Sequence, residues 1–331
     1  MSPAQYDVLA IGNAIVDVIS RVDETFLASH SITKGAMQLI DETQARALYG
    51  KMGAAIEMSG GSAANTIAGA AQLGTRTAFI GKVRNDQLGE VFMHDIRASG
   101  VTFNTAPASD GPATARCLVL VTPDGERSMN TFLGASVGLE PRDIDARLIA
   151  DAGIVYLEGY LWDPPQAKEA FVRAANIARG AGRQVALTLS DAFCVDRHRD
   201  SFLELIKRDV DILFANEAEI KSLYQADGFD DALQHVRHDC RLAALTRSGA
   251  GSVIVAGDEI HVVEARKVAK VADSTGAGDL YAAGFLHGLT THKDLATCAR
   301  LGALAAAEII SHVGARPETS LKQLAAEAGL L

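Results

Sequence analysis

Short apolar runs bounded by turn residues, with amphipathic stretches between them, constrain this chain more than any other feature. The runs are YDVLAIG (6–12), TAFIGKV (77–83), IVYLEG (154–159), QVALTLS (184–190), DILFAN (211–216) and LAALTR (242–247). Near-continuous apolarity over so few residues is the pattern of a strand buried on both faces. The stretches PPQAKEAFVRAANIARGAG and VDRHRDSFLELIKRD repeat their apolar positions at helical spacing and end at glycine or a charge cluster. Strands alternating with helices predict an α/β fold with a central, mostly parallel sheet flanked by helices. A chain of 331 residues has room for one such domain with a small appendage, or for two ordinary domains.

Two segments break the rhythm. Residues 14–40 and 113–132 read as strands and hairpins, with a turn at Pro123-Asp124-Gly125, and suit a small β-rich lid inserted into the α/β body. The tail from Ser274 to Leu331 reads as helical, with one break at Val313-Gly314-Ala315-Arg316-Pro317. Neither an internal repeat nor a low-complexity linker is present.

Charge and cysteine usage exclude several classes of function. Forty-one acidic against 31 basic side chains give a net charge of −10, which repels polyanions and argues against a nucleic-acid partner. A small anionic substrate then needs a local positive site. The four cysteines, Cys117, Cys194, Cys240 and Cys298, show no C-x-x-C spacing, so neither a disulfide framework nor a zinc site is expected. No basic region precedes the first apolar run, and no run reaches the roughly 18 apolar residues of a membrane span. The expectation is a cytoplasmic protein with no membrane partner.

The most specific motif is Asp273-Ser274-Thr275-Gly276-Ala277-Gly278-Asp279, which opens the apolar stretch LYAAGFLHGL. Glycines here let backbone N–H groups converge on an anion at a helix N-terminus, where the macrodipole adds roughly half a positive charge. A carboxylate beside such an anion hole repels phosphate unless it is there to accept a proton, which makes Asp279 a candidate general base. A glycine turn with an aspartate in the first helical turn is the plainer alternative.

Three weaker features join it. Gly60-Gly61-Ser62-Ala63-Ala64-Asn65 offers bare backbone and short polar side chains for close approach of a polyhydroxy ligand, or else a helix entry with Ser62 as N-cap. Asp17, in Gly12-Asn13-Ala14-Ile15-Val16-Asp17, lies past the first predicted strand, where open α/β sheets place ligands. Asn216-Glu217-Ala218-Glu219 follows another strand and reads either as a ligand site or as a capping-box pair.

Together these motifs resemble the two signatures of the ribokinase-like (PfkB) carbohydrate and nucleoside kinases, over nearly the whole length from Gly12 to Pro317. The resemblance implies a single ribokinase-like α/β domain over residues 1–331, with the lid formed by about 14–40 and 113–132. It implies that Asp279 deprotonates the acceptor hydroxyl while Gly276, Ala277 and Gly278 hold the developing phosphoryl charge. Arg127, after the lid turn, would reach toward the transferred phosphate; a solvated hairpin arginine is its alternative. Asn13, Asp17, Gly61, Ser62 and Asn65 would hold the acceptor. Asn216, Thr246, Ser248, Gly249, Gly251, Thr275 and Gly314 would lie along ATP, with Glu219 and Asn216 ordering Mg²⁺ through water. A monovalent cation such as K⁺ is a further candidate cofactor, and the chain is expected as a monomer or homodimer.

Within the family, GNAIVD, the segment around Arg127 and LTLSDAFCVDRHRDSFLELIKRDVDILFANEAEI look most like adenosine kinases. The expected acceptor is then the 5′-hydroxyl of adenosine or a related nucleoside, with Leu39, Phe132 and Leu133 supplying a dry slot for the base. GGSAAN is equally compatible with ribokinase- or fructokinase-like sugar kinases. An NAD-dependent oxidoreductase lacks its G-x-G-x-x-G fingerprint here, no P-loop is present, and a silent binding relative should have lost Asp279 or its glycines. His235 and His238 with Cys240 could suggest a metal site, but i, i+3 histidines on a charged helix without further ligands read as surface positions.

Overall fold

A computed structural model describes residues 4–331 of the chain. The chain begins with β1 (Tyr6–Ile11), β2 (Ile15–Arg21), α1 (Glu24–Ser29), β3 (Met37–Leu39), α2 (Glu42–Tyr49) and β4 (Ala55–Gly60). Then come α3 (Ser62–Leu73), β5 (Thr77–Ile80), α4 (Gln87–Ala98), β6 (Val101–Phe103), β7 (Ala115–Val121), β8 (Arg127–Phe132) and α5 (Ala146–Ala150). The next stretch alternates regularly through β9 (Ala152–Glu158), α6 (Pro165–Gly180), β10 (Gln184–Thr188), α7 (Ala192–Asp209), β11 (Ile212–Asn216), α8 (Glu217–Tyr224) and α9 (Phe229–Asp239). The last part holds β12 (Leu242–Thr246), β13 (Ser252–Ala256), β14 (Glu259–Val263), α10 (Ala277–Thr290), α11 (Leu295–Ile309) and α12 (Leu321–Glu327).

The described residues form two sheets. The nine-stranded one has the order β14-β13-β12-β11-β10-β9-β1-β5-β6. Its pairs are parallel from β6 to β12 and antiparallel across β12-β13-β14. Alternation along β1 explains why that run is apolar throughout. Leu9 and Ile11 face the layer of α5 to α9, where Phe171, Phe202 and Leu205 are buried. Val8 and Ala10 face α3, α10 and α11, with Ile67, Phe285 and Ala299.

The five-stranded sheet, order β3-β8-β7-β2-β4, contains the two segments that break the α/β rhythm but differs from the sequence reading. Residues 14–40 form no hairpin: β2 and β3 do not pair with each other, and α1 lies between them. Asp23 starts that helix by accepting from Phe26 N–H at 2.8 Å. Strand β4 lies outside both expected segments and pairs antiparallel with β2. The β7–β8 hairpin turns at the expected place, where Gly125 takes a positive φ of 88°.

The two faces of this sheet are unlike. Val16, Val18, Leu118 and Leu120 are buried together with Leu27 of α1, Leu48 of α2, and Phe92 and Ile96 of α4. On the other face Asp17, Cys117, Thr131 and Leu39 stand in one cross-strand row, and Ile56, Ile19, Val119, Met129 and Met37 in the next. That second face keeps Met37, Leu39 and Ile56 at 48%, 60% and 64% exposure.

Candidate active site

The large sheet changes winding direction between β1 and β9. From β1 the chain moves outward to β5 and β6, while β9 leads the opposite way to β10, β11 and β12. Ligand crevices of open α/β sheets form beyond the carboxyl ends of strands at such a switch point. Here β1 runs into Gly12-Asn13, and β9 ends on Glu158.

Glu158, only 1% exposed, organises this floor and was not foreseen from the sequence. Its Oε1 accepts from Asn13 N–H at 3.3 Å and from Asn13 Nδ2 at 2.6 Å, and its Oε2 accepts from Ala63 N–H at 2.8 Å. Burial pushes its carboxyl up to about 7 against the pull of those donors. Asn13 in turn accepts from Ser136 Oγ at 2.9 Å. Asn13, expected among the acceptor ligands, is therefore turned into the protein and only 2% exposed, its amide engaged by Glu158 and Ser136. A Cβ on Gly12 would strike Glu158, which explains the glycine.

The two glycine motifs meet above this floor. Gly276 caps α10 in the left-handed region at φ 78°, and the first-turn N–H groups of a helix have no intrahelical acceptor. Asp279, in that first turn, receives Ser62 Oγ–H at 2.6 Å and Asn65 Nδ2–H at 3.1 Å. Ser62 is thus the first residue of α3 and not its N-cap; Gly61 caps the helix at φ 100°, where a Cβ would strike the Asn13 carbonyl. Burial raises the Asp279 carboxyl above its ordinary range, while Ser62, Asn65 and the Arg316 charge pull it down. Asn65 Oδ1 is buried and has no partner among the described residues. An orphaned buried acceptor of this kind fits a ligand hydroxyl.

Asp17 enters from the second sheet, packed so closely on Gly60 that a Cβ there would clash with its carboxylate. Burial raises Asp17 to about 6, Arg127 and Arg316 lower it, and Asp279 raises it further. Asp279 therefore acts on both Asp17 and Glu158, while Arg316 acts on Asp17 and Asp279 and Arg127 on Asp17.

On the opposite flank Asn216 and Glu219 form a reciprocal capping box. Asn216 N–H and Nδ2–H donate to Glu219 at 2.9 and 2.5 Å, and Glu219 N–H donates back at 2.9 Å. Burial raises Glu219 to about 7, with Asp191 and Asp279 adding to the shift. A carboxylate strained by burial and by other acids is a site that a divalent cation would relieve, so Glu219 fits a magnesium role in addition to its cap. Thr246, Ser248 (φ 49°), Gly249 and Gly251 form the turn from β12 to β13. Gly251 has its own local reason, since a Cβ would strike the Val263 carbonyl.

Asp273 gathers the remaining candidates. It accepts from Arg127 Nη1 at 2.5 Å, Thr275 N–H at 2.9 Å and Gly314 N–H at 3.3 Å. Burial opposes its charge, but Arg127 and the Thr275 N–H outweigh burial and hold its carboxyl below the ordinary range.

Phe132 does not join the site. It stands opposite Arg116 in register, with that guanidinium 5.8 Å from its ring centroid. Strand alternation therefore puts it on the face away from Asp17 and Leu39. Leu133 lies just past β8, its carbonyl 2.6 Å from the same Ser136 hydroxyl, whose one proton it shares with Asn13 Oδ1. A large exposed aromatic is Phe193 instead, 77% exposed in the first turn of α7, just beyond the carboxyl end of β10. The turn before it includes Ser190 at φ 74°, an unusual backbone for a non-glycine residue beside a crevice.

The sequence matches the pfkB family carbohydrate kinase profile over residues 7–322. Adenosine kinase of Saccharomyces cerevisiae is 26% identical over 328 residues, spanning 92% of this chain and 95% of its own length. Two crystal structures superpose closely. A probable sugar kinase protein from Rhizobium etli CFN 42 is 53% identical with a TM-score of 0.92, covering 99% of this chain and 100% of its own. Adenosine kinase from Sinorhizobium meliloti is 54% identical with a TM-score of 0.91, covering 98% and 100%.

Proposed function

The chain belongs to the pfkB family of carbohydrate kinases and has its ribokinase-like fold, and from that premise we propose that it phosphorylates the 5′-hydroxyl of adenosine or a closely related nucleoside. That it is an ATP-dependent kinase of sugars or nucleosides follows from the family and its neighbours. The acceptor and the residue roles are the further step.

One observation carries the chemistry: Asp279 is held by Ser62 and Asn65 at the open N-terminus of α10, one turn from the Gly276 anion cradle. Bound there, ATP supplies an activated phosphoryl group and Mg²⁺ offsets its charge. The nucleotide would lie along Asn216, Thr246, Ser248, Gly249, Gly251, Thr275 and Gly314, and the metal's water on Glu219. Asp279 takes the proton from the acceptor hydroxyl as that oxygen turns nucleophilic, and the two hydrogen bonds fix the carboxylate while leaving lone pairs free for the proton. Gly276, Ala277 and Gly278 present N–H groups to the charge that develops. Asp17 and the unpaired Asn65 Oδ1 read hydroxyls of the sugar ring.

The nucleoside reading rests on apolar surface. Met37, Leu39 and Ile56 lie on the same sheet face as Asp17, and Phe193 is exposed just beyond the carboxyl end of β10. Apolar groups beside a sugar-binding carboxylate suit a flat base better than bulk water. We take the five-stranded sheet as a lid that closes over the acceptor and excludes water from the phosphoryl group. A screen of ADP release across nucleosides, pentoses and hexoses tests the acceptor. Amide exchange of residues 15–60 and 115–132, with and without acceptor plus nucleotide, tests the lid; unchanged exchange would contradict it.

A further inference from the structure

Arg316 comes from the break between α11 and α12, yet its side chain reaches residues more than 250 positions earlier. Its Nη1 donates to the Ala64 carbonyl at 2.8 Å, with a sequence separation of 252. Its Nη2 donates to the Ser59 carbonyl at 2.8 Å and to Ser59 Oγ at 2.9 Å. Ser59 is gripped from the other side by Asp95 of α4, which accepts from its N–H at 2.8 Å and its hydroxyl at 2.5 Å. Between these anchors lie Gly60, against which Asp17 packs, and Ser62, which holds Asp279. Asn65, the other partner of Asp279, follows directly on Ala64.

Resting on the kinase reading above, we propose that Arg316 is a positioning residue: it fixes the Ser59–Asn65 turn through which Ser62 and Asn65 aim Asp279, and it sets a positive charge behind the carboxylates. An arginine suits this place better than a lysine because one planar guanidinium spans two carbonyls and stays protonated when enclosed. Burial opposes its charge, while Asp95, Asp17 and Asp279 favour it. The groups facing Asp279 are Asp17 on β2, Tyr156 and Glu158 on β9, Tyr160 after it, Glu219 on α8 and Arg316 itself. Arg316 alone in this set acts to lower the Asp279 carboxyl, so removing its charge must move the proton affinity of that base upward.

The test compares Arg316→Gln, which keeps two donors without the charge, with Arg316→Lys, which keeps the charge without the span. In the pH profile of kcat, the acidic limb of Arg316→Gln should move up by about one unit. That of Arg316→Lys should stay within about 0.3 unit while kcat falls and the KM for ATP holds. The proposal is overturned if the glutamine limb stays at the wild-type position on folded protein. Should the glutamine variant not fold, a lysine limb displaced by a full unit overturns it, and an unmoved limb with reduced kcat supports it. A ¹³C titration of aspartate carboxyls, with the Asp279 resonance assigned by its absence in Asp279→Asn, reads the same shift without turnover. If the wild type phosphorylates no acceptor the kinase reading fails, and this titration still decides the role of Arg316.

Discussion

Arg127 Nη1 lies 2.5 Å from Asp273 Oδ2, and the two side chains are only 4% and 7% exposed. The pair ties the first residue of β8, in the small sheet, to the motif that opens α10. The same carboxylate also receives Thr275 N–H and Gly314 N–H. One enclosed aspartate therefore joins the five-stranded sheet to the glycine turn that opens α10, and it already balances the arginine that the family resemblance turns toward phosphate.

Removing one member of such a pair leaves a buried charge without a partner. Asp273→Asn should lower stability by about 3 kcal/mol in urea unfolding, since breaking a buried pair from one side costs roughly 3–5 kcal/mol. A loss below about 0.5 kcal/mol, the scale of an ordinary surface change, would show that the pair is solvated.

Asp279→Asn should keep ATP binding, measured by calorimetry, and lower kcat by about 10² to 10⁴, the range for a lost general base. Near-normal turnover in folded protein would remove Asp279 from the mechanism.

Glu219 gives a pH prediction whose sign follows from burial. Its folded carboxyl sits near 7 against an ordinary 4.5, so the unfolded chain ionises first as pH rises. Stability is therefore lost between those two values and is flat above them. Without magnesium or nucleotide, Glu219→Gln should remove up to ~3 kcal/mol of that loss. Parallel stability curves for variant and wild type from pH 4.5 to 7.5 would contradict it. With nucleotide present, Glu219→Ala should raise the magnesium concentration needed for half-maximal rate, and unchanged magnesium dependence would leave Glu219 a helix cap alone.

The apolar face and Phe193 predict specificity. Leu39→Ala and Phe193→Ala should each reduce kcat/KM for adenosine by about tenfold, or ~1.4 kcal/mol, and that for ribose by less than about twofold. Phe132→Ala should spare this ratio, because its ring packs under Arg116 on the other face. Equal losses for adenosine and ribose in the Phe193 variant would remove that ring from the base slot.

Much of this was readable because it is local. All six apolar runs became strands of the large sheet, since a buried parallel strand has to be apolar on both faces. The glycine motifs stood out through residue type and spacing, and Ser62, Asn65 and Asp279 do meet. What escaped depends on long-range pairing. Strand β4 carries Glu57 and Ser59 in a mixed pattern and became visible only through its ladder with β2. Phe132 was one position out of phase, because strand parity is set by the partner in register. Glu158 did leave a signal: a carboxylate closing an apolar strand needs donors, and Asn13 and Ala63 provide them. Arg316 left none, its partners lying 252 and 257 residues away.

The acceptor is the central claim, and Asp17 and Asn65 can read a ribose whether or not a base is attached. The difference must come from the apolar face of the small sheet and from Phe193. Burying a purine there at roughly 25 cal/mol per Å² should add a few kcal/mol in the transition state. The deciding measurement is kcat/KM by coupled ADP release for adenosine beside ribose and fructose. A preference for adenosine of about a hundredfold or more, with phosphate on the 5′-oxygen, is the predicted result; a hexose or free pentose that outperforms every nucleoside would contradict it.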